Sequence, residues 1–225
     1  MTNWQKTLDR DILNWRDVTA AELPDHLYKW LEKTCWEQRN KKLDNLKMNS
    51  KLVGHIKEEY RIPEHPTEFE EFIVRASTKG PTINWYDRFE FMSENRPIGF
   101  ENLWCNFQKK YEFNPPHSHS GVVSFVIFVK IPYDLDEEDK MYPDIKVDEK
   151  TQRCTARFQF LNPDNGIISK GGTGIVNDAI DVDKSFEGKM FIFPNVQMHQ
   201  VFPFYTSDEY RITVSGNLRY QVDKI

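Results

Sequence analysis

The sequence predicts a mainly β protein carrying helices at its N-terminal end, and two patterns carry that prediction. Over roughly the first eighty residues the apolar side chains recur at helical spacing. From about Trp85 onward they are aromatic or β-branched and fall in short blocks bounded by Pro, Gly, Asn and Asp. A run of helices followed by a run of strands at antiparallel spacing indicates a β-sandwich or barrel flanked by helices. The 225 residues suit one such domain, with 1–84 as a mainly helical support region and 85–225 as the β core.

In chain order, Pro24 and Asp25 open a helix whose packed face is Leu27, Trp30, Leu31, Thr34 and Cys35. A second helix is expected from Ser50 to Tyr60, carrying Leu52, Val53, Ile56 and Tyr60. A third, from Pro66 to about Ser77, buries Phe69, Phe72 and Ile73. Strands are expected near Gly99–Lys110, Gly121–Ile131, Thr155–Leu161, Lys189–Pro194, Gln200–Phe204 and Tyr210–Arg219. Between the second and third of these lies the acidic run from Asp134 to Asp144, which reads as a solvated loop. The stretch Lys170-Gly-Gly-Thr-Gly lacks the strand and helix that a phosphate-binding loop requires.

Composition narrows the function. A net charge of −5 and a pI near 5.7 argue against the broad cationic face that nucleic-acid binding uses. No apolar run approaches the roughly 20 residues of a membrane span. Three cysteines without a C-x-x-C pair, and a polar start after Met1, point to a reduced, cytoplasmic protein.

Chemistry concentrates in three places. His117 and His119, spaced i, i+2 before an apolar strand, can point to one side, and His199 follows another apolar strand. Three imidazoles converging on one metal would suit iron, copper, nickel or zinc, with open positions left for other ligands. His26, His55 and His65 lack such a setting and read as hydrogen-bonded or surface residues. In the last strand Arg211, Thr213, Ser215 and Asn217 share one face, and Ile212, Val214, Leu218 and Tyr220 the other. That polar face is either turned to water or lines a pocket whose opposite face the helices cover. An arginine beside hydroxyls is a natural clamp for a carboxylate, which suggests an anionic, chelating cosubstrate. Trp104, Asn106 and Gln108 share a strand face and are further candidates for the pocket wall.

The ordered set Trp104-Cys-Asn-Phe-Gln, Phe113-Asn-Pro-Pro-His117-Ser-His119-Ser-Gly, Phe158-Gln-Phe-Leu-Asn-Pro, Gly188-Lys-Met-Phe-Ile-Phe-Pro, His199-Gln-Val-Phe-Pro and Arg211-Ile-Thr-Val-Ser-Gly-Asn resembles the 2-oxoglutarate/Fe(II)-dependent oxygenase superfamily. Among its members the prolyl-hydroxylase-like ones encoded by tailed bacteriophages are the most similar, over residues 99–220, which would place the protein in a host cytoplasm. The resemblance implies a double-stranded β-helix, the cupin-like jelly roll, with helices on its major sheet. It implies Fe(II) and 2-oxoglutarate, with His199 as the distal metal ligand, Arg211 on the cosubstrate carboxylate and Thr213 beside it; Asn106, from the strand face named above, is a candidate for the cosubstrate-binding wall. The activity it implies uses O2 to hydroxylate a substrate, a peptidyl side chain such as proline by analogy, while 2-oxoglutarate becomes succinate and CO2.

One feature departs from the superfamily pattern, whose first motif is His-x-Asp or His-x-Glu: here it reads His117-Ser-His119, with no acid at the expected place. Three arrangements stay open. His117, His119 and His199 form a three-histidine centre; or His119 is the proximal ligand and the carboxylate is missing; or an acid from elsewhere, such as the acidic run, completes the shell. Two other functions stay open as well, a cupin-like three-histidine enzyme without 2-oxoglutarate, for which Arg211 is irrelevant, and a non-catalytic jelly-roll binding module.

Overall fold

The computed structural model describes residues 1–8, 18–41, 46–50, 52–78, 98–141, 155–161 and 177–221. Their strands form two antiparallel sheets. The larger, six-stranded, has the order β1-β8-β5-β10-β3-β2, with β1 Thr19–Glu22, β2 Glu59–Arg61, β3 Ile98–Gln108, β5 Val123–Lys130, β8 Lys189–Pro194 and β10 Arg211–Tyr220. The smaller, four-stranded, runs β4-β9-β6-β7, with β4 Asn114–His117, β6 Phe158–Leu161, β7 Asn177–Ile180 and β9 His199–Val201. From β3 to β10 the chain passes back and forth between the sheets, which is the jelly-roll winding. β1 and β2 come from the N-terminal region and extend the larger sheet at its two edges.

Two apolar cores follow from strand parity. On the outer face of the larger sheet Cys105, Phe107, Ile127, Ile192, Ile212 and Val214 pack under helices α2 (Asp25–Lys41) and α3 (Thr67–Thr78), which contribute Leu27, Leu31, Phe69 and Ile73. Alternate residues of the same strands point inward, where Phe128, Phe158, Phe160, Phe191 and Phe193 fill one end of the barrel. Trp4, on the short helix α1 (Asn3–Leu8), closes that end edge-on against Phe186 with ring centroids 5.2 Å apart. Gly216 sits where a Cβ would meet the Phe125 ring at 2.5 Å, so only glycine lets that ring lie across β10.

The helices expected from 23 and from 66 form, and the helix expected over 50–60 does not. Asn49 and Ser50 make a turn, residues 52–58 are irregular, and Glu59–Arg61 is strand β2, paired with Trp104–Asn106 of β3. The edge of β3 offers Glu59 and Tyr60 a hydrogen-bonding partner, which outcompetes a weak local helix preference.

The acidic run also differs from a solvated loop. Residues Leu135–Lys140 form helix α4, capped by the Asp134 side chain accepting from the amides of Asp136 and Glu137. Glu138 is fully buried and accepts from the backbone N–H of Tyr205 and Thr206 at 2.8–3.0 Å and from the Thr206 hydroxyl at 2.6 Å. Asp139 takes a two-pronged hydrogen bond from the Arg157 guanidinium at 2.6 and 3.0 Å. The glycine stretch at 170–174 lies outside the described residues. Cys35 and Cys105 are buried free thiols, and no helix among the described residues is long and apolar enough to cross a membrane.

Candidate metal and cosubstrate site

The three histidines predicted from sequence meet at the mouth of the barrel. Each offers a ring nitrogen, and these atoms lie within 4.8 Å of one another. His117 ends β4 directly opposite His199 in β9, while His119 follows two residues later, in the turn before β5. Asn195 fixes that turn from both sides: its carbonyl accepts the His119 N–H at 2.9 Å and its side chain donates to the His119 carbonyl at 3.3 Å. The Pro115-Pro116 pair interrupts the β4–β9 ladder between Asn114 and His117, which β4 tolerates as an edge strand.

Hydrogen bonds orient two of the rings. His117 Nδ1 donates to the Pro115 carbonyl at 2.7 Å and His199 Nδ1 to that of Gln197 at 3.0 Å, so each Nε2 keeps a free lone pair. The Nε2 atoms of His119 and His199 face each other at 3.1 Å. Phe158 stacks on His199 and Phe193 meets it edge-on. Burial lowers the pKa of all three, that of His119 to about 3, with the neighbouring His117 adding to the effect. They are neutral at pH 7, the form a metal ligand needs.

No carboxylate of the described residues joins this group. Glu138 and Asp139 of the acidic run are engaged at Tyr205, Thr206 and Arg157. The other sequence histidines behave as isolated residues: His26 contacts Glu68 at 2.9 Å, His55 stacks on Phe113, and His65 lies 3.8 Å from Glu70.

A cavity of about 350 Å³ extends from the histidines along the inner face of the larger sheet, and Arg211, Thr213, Ser215 and Asn217 all line it. The polar face of β10 therefore lines a pocket. Arg211 is 1 % exposed, yet among the described residues its hydrogen bond runs from Nη1 to the Ala156 carbonyl at 3.4 Å, and Nε and Nη2 find no partner there. A buried guanidinium with free donors calls for an anion. Asn106 lies directly opposite Thr213 across the β3–β10 pair and donates to its hydroxyl at 3.1 Å. Trp104 and Gln108 also line the cavity.

Sequence reasoning missed Glu59, a cavity-lining carboxyl that is 1 % exposed and sits in the segment expected to be helical. It also passed over the side chains of Asn102 and Asn114. Nothing in the local sequence separates a buried Glu59 from an exposed one, because β2 is defined only by its pairing with β3.

A jelly roll whose inner face brings three imidazoles and an unpaired arginine to one cavity has the layout of a metal-dependent enzyme that takes an anionic cosubstrate. The sequence matches a family model described as "Putative 2OG-Fe(II) oxygenase" over residues 102–217, just over half of the chain, and the protein belongs to that family. Among solved structures it is similar to a Pseudomonas putida prolyl-4-hydroxylase, at 12% identity and a TM-score of 0.54, covering 94% of this chain and 96% of that one. It is also similar to a Trichoplax adhaerens prolyl hydroxylase in complex with a hypoxia inducible factor peptide fragment, at 11% identity and a TM-score of 0.52, covering 98% and 93%. At such identities these structures establish the fold. A comparison with curated proteins returned no match.

Proposed function

We propose that the protein is a 2-oxoglutarate- and Fe(II)-dependent dioxygenase that hydroxylates its substrate, with His117, His119 and His199 holding the metal and Arg211 the cosubstrate. The observation that carries this reading is that three mutually facing neutral imidazoles and an orphaned buried guanidinium share one cavity. When bound, Fe(II) and 2-oxoglutarate supply the oxidising chemistry, coupling decarboxylation of the cosubstrate to succinate and CO2 with transfer of an oxygen atom from O2 to a substrate C–H bond.

The chain's part is binding, orientation and exclusion of water. The Arg211 Nε and Nη2 donors suit the distal carboxylate of 2-oxoglutarate, and the Thr213 hydroxyl, held by Asn106, adds a hydrogen bond beside them. The Pro115 and Gln197 carbonyls fix the rings of His117 and His199, and the apolar walls formed by Phe158 and Phe193 keep water from that side of the histidines. Three neutral ligands leave more positive charge at the metal than a set containing a carboxylate. The prolyl hydroxylases named above support a peptidyl side chain such as proline as the substrate.

Succinate formation from 2-oxoglutarate tests this reading. It should require Fe(II) and O2 and should be lost in Arg211→Ala. Turnover that persists without Arg211 would favour the cupin-like alternative.

A further inference from the structure

The cavity wall carries a second demand that 2-oxoglutarate does not meet. Among the described residues, the Oδ1 atoms of Asn102, Asn106 and Asn114 are buried without a hydrogen-bond partner, and all three residues line the cavity. Glu59 adds a carboxyl to the same wall: it stands directly opposite Asn106 in the β2–β3 pair and therefore on the same face. Gly54 ties Glu59 to Asn114, because a Cβ there would meet Asn114 Oδ1 at 2.0 Å and Glu59 Oε1 at 3.5 Å. The two oxygens thus approach the same point of the 52–56 segment, where only glycine leaves room. With Glu59 ionised, these atoms are all acceptors. Among the described residues, the donor toward Glu59 is Asn49 Nδ2, at 3.2 Å from Oε2.

2-Oxoglutarate as a dianion has acceptor atoms only, so it can answer Arg211 but not this wall. A buried acceptor left without a donor is costly, and two beside a carboxyl, those of Asn106 and Asn114, are not explained by packing. The partner that fits is compact, positively charged and rich in N–H donors.

Resting on the proposed oxygenase reading, we infer that the wall formed by Glu59, Asn106 and Asn114 is the specificity site for the primary substrate, and that it takes an ammonium group. The ammonium offers three N–H donors and a charge to pair with Glu59. A prolyl residue inside a peptide has no N–H of its own, so a peptide substrate would present a lysyl side chain or a free N-terminus here. Burial and the nearby Glu112 charge push Glu59 up to about 7. An ammonium arriving beside it favours the carboxylate, so binding near neutral pH releases a proton.

The test uses protein loaded with Fe(II) and 2-oxoglutarate under anaerobic conditions. The visible charge-transfer band of the chelate reports whether the oxygenase reading holds, and ligand-observed NMR titrations report the inference separately. The probes are n-butylammonium, butyramide, butyrate and a blocked peptide with one lysine. The expected result is n-butylammonium or the lysyl peptide bound at least tenfold more tightly than butyramide and butyrate. The peptide arm distinguishes a macromolecular source of the amine from a small free one. Glu59→Gln and, independently, Asn114→Leu should weaken the bound amine about tenfold while the 2-oxoglutarate midpoint read from the band stays within twofold. Butyramide or butyrate equalling both amines, or unchanged amine affinity in the two variants, would overturn the inference even with the band intact. Absence of the band would instead remove the oxygenase reading.

Discussion

The Nε2 atoms of His119 and His199 lie 3.1 Å apart, although eighty positions separate them and neither ring has an acidic partner among the described residues. The β8–β9 turn carries Asn195, which holds His119, and leads directly into His199. One turn thus sets both imidazoles. Replacing any one of His117, His119 and His199 by Ala should lower Fe(II) affinity by more than the roughly 10–100-fold expected for losing an outer hydrogen-bond partner. His119→Asp should retain the metal, since it recreates the His-x-Asp pattern of the superfamily that the sequence resembles. Metal content after anaerobic dialysis checks both outcomes.

Arg211 is the second fixed point. Its buried Nε and Nη2 have no partner among the described residues, so an incoming carboxylate meets donors that need no rearrangement. Truncating one member of a buried charge pair costs about 2–5 kcal/mol. Arg211→Ala should therefore weaken 2-oxoglutarate on the order of 100-fold, and Arg211→Lys less, with Fe(II) binding unchanged in both. Titration of the cosubstrate into Fe(II)-loaded protein measures the effect.

Much of this site was legible in the amino-acid sequence. Period-two alternation in Arg211–Tyr220 separated a polar face from an apolar one, leaving water or a pocket open for the polar side, and the histidine spacing pointed to the three imidazoles that the structure brings together. The helix expected over 50–60 failed for a physical reason. Leu52, Val53 and Ile56 satisfied a helical pattern, yet Val53 remains exposed, Leu52 and Ile56 line the cavity, and Tyr60 packs outward from β2. The same three-residue strand hid Glu59. β1 and β4 were missed because four-residue strands owe their existence to long-range pairing, and because Pro115-Pro116 masks β4.

The acidic run was underestimated in the same way, since charge alone does not reveal a buried acceptor. Arg157 and Asp139 are both largely buried, with Asp181 2.9 Å from Arg157 Nε. Removing one member of such a pair costs about 3–5 kcal/mol, so Arg157→Ala should lower stability by that amount. Glu138→Gln should cost about 2 kcal/mol, because its amide nitrogen would face a backbone N–H of the 205–206 segment. Urea unfolding midpoints measure both.

Glu59 makes stability depend on pH with a definite sign. Folding keeps it protonated up to about pH 7, while the unfolded chain releases the same proton near 4.5. Its contribution therefore becomes less favourable as pH rises from 4.5 to 7 and is level above that, a loss on the order of 3 kcal/mol. Glu59→Gln should be more stable than the parent at pH 8 by up to about this amount and no more stable at pH 4.5. Chemical denaturation at the two pH values checks the difference.

The central claim is that one cavity holds Fe(II) on three histidines and 2-oxoglutarate on Arg211. Anaerobic addition of Fe(II) and then 2-oxoglutarate tests it most directly. The account predicts a visible charge-transfer band in the parent protein that is absent in His199→Ala and needs far more 2-oxoglutarate in Arg211→Ala. A parent protein that binds Fe(II) but gives no band at saturating 2-oxoglutarate would contradict it.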